Sequence, residues 1–335
     1  MKTKTKSALI NLLPLVFCIL IFIGEIAYMI FTGADLIKCL LLTVSGVLVN
    51  YVLAVIIHEA GHVIFAKSNG LKVEYVNFGL FSIDFASKKV KFFTFFGRAA
   101  GETKFSAKKK VTAKNIRNVA SNGVIATAVF ATLFITGGMF INQAWYYCFF
   151  CIGQLPALYL LFVNTFNSDR LYDCAIASEQ NNFADVLAET LNLQREINDG
   201  KIPEESELIM RDNQPIALYF HYLFTLIKGE KDTALKIFDN VKIKDLTDEE
   251  YDLIFPEIVY SACVRGDGDK INTLKTAAEN FFSLSPENIG ALRAHYAFRK
   301  FCGDEKWSEI LRSSYTKALE SRPPFIRLAE ENLTK

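Results

Sequence analysis

Histidine is scarce in this chain. There are four among 335 residues, and two of them, His58 and His62, stand four positions apart. Charge of one sign is missing as well: 37 Lys and Arg meet 36 Asp and Glu, for a net charge of +1. Such neutrality argues against a nucleic-acid partner, which calls for a basic surface. Cysteine is present but unpatterned. Seven are scattered through apolar and polar stretches alike, so no disulfide framework is indicated. Cys148 and Cys151 form C-x-x-C inside an apolar run without flanking ligands, where packing accounts for them.

What the chain has in abundance is apolar sequence. Hydrophobic residues make up 51% of it and Phe alone counts 29. They concentrate in the first half, whereas charges dominate after about residue 175, and that asymmetry predicts two domains, roughly 1–175 and 176–335. A membrane-spanning helix needs roughly 20 mostly apolar residues, and four candidates stand at about 8–31, 36–66, 119–141 and 145–166. The basic N-terminus Met1-Lys2-Thr3-Lys4-Thr5-Lys6 resembles a signal-peptide start. The apolar stretch behind it is too long for one and shows no small-residue cleavage site, so a retained helix is expected. The segment from Lys67 to Arg117 is rich in Lys and Arg, while the short connections Thr32-Gly33-Ala34-Asp35 and Asn142-Gln143-Ala144 have none. By the positive-inside rule both termini and the basic segment are expected in the cytoplasm. Glu25 falls within the first span, where it would snorkel or face the bundle interior.

The most informative run is His58-Glu59-Ala60-Gly61-His62, flanked by Val52-Leu53-Ala54-Val55-Ile56-Ile57 and Val63-Ile64-Phe65-Ala66. On a helix, positions i and i+4 share a face, so two imidazoles can grip one Zn²⁺ while Glu59 reaches its water as general base. Polar groups at membrane depth are costly and are kept for function. The expectation is a zinc protease working within or beside the membrane. A third ligand must sit at the same depth. The fourth span ends at Asn164-Thr165-Phe166-Asn167-Ser168-Asp169-Arg170, on the membrane side where His62 lies. Asp169 is therefore the expected ligand, with Asp173 a further candidate one turn later.

These motifs resemble peptidase family M50, the site-2 protease-like intramembrane zinc metalloproteases. His58-Glu59-Ala60-Gly61-His62 matches the family's HExGH. Asn164 followed by Ser168-Asp169 looks like a shortened form of its N-x-x-P...DG motif, without the proline and with Arg170 in place of glycine. The resemblance implies His58, His62 and Asp169 as zinc ligands and Glu59 as catalytic base. Membrane-anchored proteins or hydrophobic leader and signal peptides are the expected substrates, and the small size and basic cytoplasmic loops suggest a bacterial plasma membrane.

Between the motifs, alternation over about 71–96 predicts a β-hairpin. Its edge would either pair with an extended substrate or lie against the membrane surface. After about residue 175, helical periodicity is expected over 217–228, 232–241, 251–264, 270–282, 289–301 and 307–319. Gly229-Glu230, Gly266-Asp267 and Gly303-Asp304 recur every 37 residues, as turns do in helix-hairpin repeats of the tetratricopeptide kind. His221 and His295 fall in this half as ordinary helix residues. The expected fold is thus mainly α: a polytopic helix bundle of about four spans, a small β-hairpin and a cytoplasmic helical-hairpin domain. Such repeats would dock a protein partner; the plain alternative is a generic helical domain. A membrane scaffold of the same fold, without catalysis, is the alternative to the enzyme.

Overall fold

In a membrane helix the apolar residues face lipid, and small or polar residues pack inside. The helix that carries His58 and His62 follows that rule. In the computed structural model, which describes residues 12, 15–24, 26–27, 30–31, 33, 35–85, 87–92, 101–138, 140–141, 143–166, 172–284 and 288–334, it runs over Leu36–Ser68. Ile37, Leu41, Val44 and Leu48 form its exposed stripe, whereas Cys39, Thr43, Gly46, Asn50 and Ala54 are buried. The chain divides into two units, Met1–Leu191 and Asn192–Lys335.

Among the described residues the first unit has a short apolar helix, α1 (Leu15–Gly24), within the span expected over 8–31. Glu25 lies outside the described residues. Then come α2 (Leu36–Ser68), β1 (Leu71–Asn77), β2 (Phe81–Asp84), β3 (Lys89–Phe92), β4 (Glu102–Ala107) and α3 (Ala113–Gly137). The composite helix α4 (Ala144–Phe166), short α5 (Asp173–Ala177) and α6 (Phe183–Asn198) follow. Among the described residues three helices, α2, α3 and α4, are long and apolar enough to cross a membrane. Their limits match the second, third and fourth expected spans. α3 begins six residues earlier than about 119 because its polar first turn, Lys114 to Asn118, precedes the apolar stretch. Asn115 Oδ1 accepts from the Thr112 backbone N–H at 2.9 Å and caps that turn.

The expected hairpin is wider than its sequence suggested. Asn69 and Gly70, the latter at φ +81°, end α2 and turn the chain into the sheet. The sheet has four antiparallel strands in the order β3-β2-β1-β4. β4 returns to pair with β1 from Leu71↔Ala107 to Asn77↔Glu102, with a register shift between Val73 and Tyr75. Leu71, Ala107, Val111, Ile116 and Val119 form one core with Ala184, Ala188 and Leu191 of α6. Arg117 and Asp185 pair beside it at 2.7 Å.

α4 is broken in the middle. A π-helical turn over Tyr147–Cys151 and a 3₁₀ turn over Ile152–Gln154 precede its α-helical part. Pro156 supplies the reason, since it has no N–H for the carbonyl four residues back and its ring clashes there. The break faces α2. Asn50 Nδ2 donates to Gly46 O at 2.8 Å and to Phe149 O at 2.9 Å, and Gln154 Nε2 donates to Asn50 Oδ1 at 2.8 Å. A Cβ at Gly46 would collide with the Phe149 backbone and one at Gly153 with the Asn50 amide, so these glycines allow the approach that brings the amides together.

The second unit is helical: α7 (Glu207–Arg211), α8 (Pro215–Ile227), α9 (Lys231–Ala234), α10 (Asp248–Arg265), α11 (Gly268–Leu284), α12 (Ile289–Phe301), α13 (Glu305–Glu320) and α14 (Pro324–Thr334). Five expected helices recur within a few residues. The one expected over 232–241 is helical only to Ala234 and continues as turns. Gly229, Gly266 and Gly303 all have positive φ, at +78°, +69° and +80°, a backbone shape in which glycine is favoured. The final helix α14, with proline at its first position, lies on α8. Phe325 meets Phe224 at 5.4 Å between ring centroids, and Asn332 Nδ2 donates to Leu226 O at 3.0 Å. At the centre, buried Arg293 pairs with Glu257 and Glu330 and lies over the Tyr260 ring. Tyr222 donates to Glu257 at 2.6 Å and Tyr315 to Glu330 at 2.9 Å.

One guanidinium thus connects α8, α10, α12, α13 and α14. Removing one member of a buried ion pair strands the others and costs about 3–5 kcal/mol. Arg293→Met is therefore expected to lower the unfolding midpoint of this unit in the full chain. Emission from Trp307 in a Trp145→Phe background reads it. An unchanged midpoint would mean that packing alone holds these helices.

Candidate metal centre

Helix α2 places His58 and His62 on one face, and α3 lies against that face closely enough to touch both rings. The closeness comes from two glycines. A Cβ on Gly61 would meet the Asn122 carbonyl, and a Cβ on Gly123 would fall on the His62 ring itself. His62 Nδ1 lies 2.9 Å from Val119 O. A carbonyl oxygen only accepts, so Nδ1 carries a proton, and in the neutral ring that a metal ligand must be, Nε2 is the bare nitrogen. His58 Nδ1 lies 3.0 Å from Thr127 Oγ1, and that hydroxyl lies 3.0 Å from Gly123 O, to which it donates. Having spent its hydrogen on Gly123, the hydroxyl accepts from His58, whose Nε2 is bare as well.

The bare nitrogens face a carboxylate. Asp173, at the start of α5, puts Oδ2 2.8 Å from His58 Nε2 and 3.4 Å from His62 Nε2, and the two nitrogens are 3.3 Å apart. Three acceptors thus point at one another from three sides. Their mutual repulsion is relieved when a cation sits between them, and two neutral imidazoles plus one carboxylate are a donor set that suits zinc while leaving a position open. Among the described residues this is the one group of three or more metal-ligating side chains close enough to share an ion.

Glu59 points to the other side, towards the sheet. Its side chain is buried, and Thr103 of β4 donates to its Oε2 at 2.5 Å. Gly101, just before β4, lies so close that a Cβ there would fall on Oε1. The edge strand therefore covers and orients the carboxylate that stands next to the His pair in sequence.

The sequence expectation for the third ligand was Asp169, which lies outside the described residues; the structure brings Asp173 to the histidines. Three contributors carry little sequence signal. Val119 acts through its backbone. Thr103 belongs to a strand hidden among lysines. Thr127 is one of several hydroxyls in its helix, with Ser121, Thr132 and Thr136, and nothing in the sequence sets it apart.

The profile of peptidase family M50 matches residues 46–297. The chain belongs to this family. No curated protein and no solved structure matches it. Membership of M50, a family of membrane-bound zinc metalloproteases, accords with a His-His-Asp cluster built on helices long and apolar enough to span a bilayer.

The tight contact at Gly123 makes a test. Alanine normally favours a helix over glycine by about 1 kcal/mol. Gly123→Ala is nevertheless expected to push the His62 ring aside and abolish zinc retention in the detergent-purified protein, measured as metal per chain. Full zinc content in that variant would show that the ring is not held where this packing puts it.

Proposed function

We propose that the protein is an intramembrane zinc endopeptidase. The observation that carries this reading is the convergence of two bare imidazole nitrogens and one carboxylate, with a second, separately held carboxylate, Glu59, beside them. His58, His62 and Asp173 would hold the ion, and Asp169, at nearly the same chain position, is compared with Asp173 in the test below. A zinc ion held there supplies Lewis-acid activation of water and of the scissile carbonyl.

The chain's own residues do the rest. Glu59 takes a proton from the attacking water and passes it to the departing amine. Thr103 keeps the carboxylate aimed by donating to one oxygen. A scissile bond inside a helix is hidden until the segment is drawn out, so an extended substrate needs a template. β4 is at the edge of the sheet, pairing with β1 alone among the described residues. A substrate strand added along β4 would run past Glu59.

Three apolar helices around the site favour membrane-anchored proteins or hydrophobic leader or signal peptides as substrates. The distribution of Lys and Arg supports a cytoplasmic side for the basic segment, both termini and the site end of α2, and the small size with basic loops supports a bacterial plasma membrane. The helical unit 192–335, with its three repeated glycine turns, would bind a protein partner or a substrate tail.

One substitution decides between protease and inert scaffold, and two more locate the third ligand. Glu59→Gln keeps the shape and is expected to leave zinc content unchanged while cleavage of a membrane-anchored test substrate in proteoliposomes falls at least 10³-fold, in line with losing a general base. Cleavage surviving in Glu59→Gln would refute the mechanism. Asp173→Ala is expected to lose zinc and Asp169→Ala to keep it; the reverse would move the third ligand to Asp169.

A further inference from the structure

We infer that Thr127 is a positioning residue for the metal centre, fixing the tautomer of His58 so that Nε2 is presented to the ion. The inference rests on the zinc reading above and deepens it. Thr127 lies in the middle of α3 and is 1% exposed, so water does not substitute for its hydroxyl. A buried hydroxyl in an apolar span is costly unless it is paired, and this one is paired twice. It donates to Gly123 O at 3.0 Å and accepts from His58 Nδ1 at 3.0 Å.

The direction of this two-bond relay follows from counting hydrogens. A threonine hydroxyl has one hydrogen, and a carbonyl cannot donate. With that hydrogen on Gly123 O, only a protonated Nδ1 can meet the hydroxyl. The tautomer with the proton on Nε2 would set two lone pairs against each other at Nδ1 and aim an N–H at the metal position. The same helix treats His62 alike through Val119 O. There the acceptor is main chain and survives side-chain substitution, so Thr127 is the side chain on which the orientation of one ligand depends. Gly123 serves both rings: its missing side chain makes room for His62, and its carbonyl takes the Thr127 hydrogen.

Partners of this kind behind a metal-bound histidine are typically worth 10–100-fold in metal affinity. The test is competition between the detergent-purified full chain and a chelator of known zinc affinity, with Co²⁺ substitution and its visible absorption as a second readout. Thr127→Val preserves the shape and deletes the hydroxyl. It is expected to bind zinc 10–100-fold more weakly and to alter the Co²⁺ band. Thr127→Ser restores the hydroxyl and is expected to return both readouts to wild type. Wild-type affinity in Thr127→Val would overturn the inference, and so would Thr127→Ser as weak as Thr127→Val, since packing rather than the hydroxyl would then matter. A wild-type chain that takes up no zinc under replete conditions would instead remove the metal reading itself, independently of any Thr127 variant.

Discussion

Everything at the site depends on how closely α3 lies on α2. Two helices whose facing positions carried ordinary side chains could not bring a backbone carbonyl and a threonine hydroxyl to the rear of two imidazoles at once. Gly61 and Gly123 remove that obstacle, and the interval from Val119 through Gly123 to Thr127 repeats the interval from His58 to His62 on the neighbouring helix. The match in spacing lets one helix serve as ligand carrier and the other as its template. Without a hydrophobic force between helices in lipid, contacts of this kind hold a bundle together. The packing that stabilises the pair is therefore also the packing that orients the ligands.

The bundle handles its other polar groups by the same means. Asn50 and Gln154 are buried among apolar residues, and each is tied across the α2–α4 crossing at another glycine pair, Gly46 and Gly153. Pro156 forces α4 to loosen, and the carbonyl of Phe149 meets the Asn50 amide there. A helix break that would be costly against lipid is satisfied inside the protein.

How far this was readable from sequence depended on locality. The His58-Glu59-His62 triplet was legible because its geometry is set by five consecutive helical residues. The three long apolar helices were legible because lipid imposes a length. The third ligand was only half so: reasoning from depth led to the end of the fourth span, where Asp169 and Asp173 are four residues apart. Asp173 is found beside the histidines while Asp169 lies outside the described residues, and no periodicity ranks the two. β4 went unread because Lys104 and the following Lys108-Lys109-Lys110 look like a solvated loop, and its pairing partner β1 is some thirty residues upstream. Val119 acts through a carbonyl that every residue possesses, and so leaves no trace in the sequence at all. In the second unit the 37-residue spacing of glycines showed through as positive-φ turns, because that backbone shape selects glycine. The closing helix α14 did not, since a pair of prolines reads as a stop until the second is seen to begin a helix.

That closing helix makes the order of synthesis matter. Leu226 and Asn332, which meet across it, are 106 residues apart along the chain, and Arg293 cannot complete its pairings until Glu330 has been made. Contacts so distant in sequence slow folding. They also leave Tyr222, Glu257 and the Phe224 ring without their final neighbours while the later helices are still emerging. The three apolar helices of the first unit can meanwhile enter the membrane. The membrane half is thus positioned to be installed first, and the helical half to complete the Arg293 pairings only when α14 arrives.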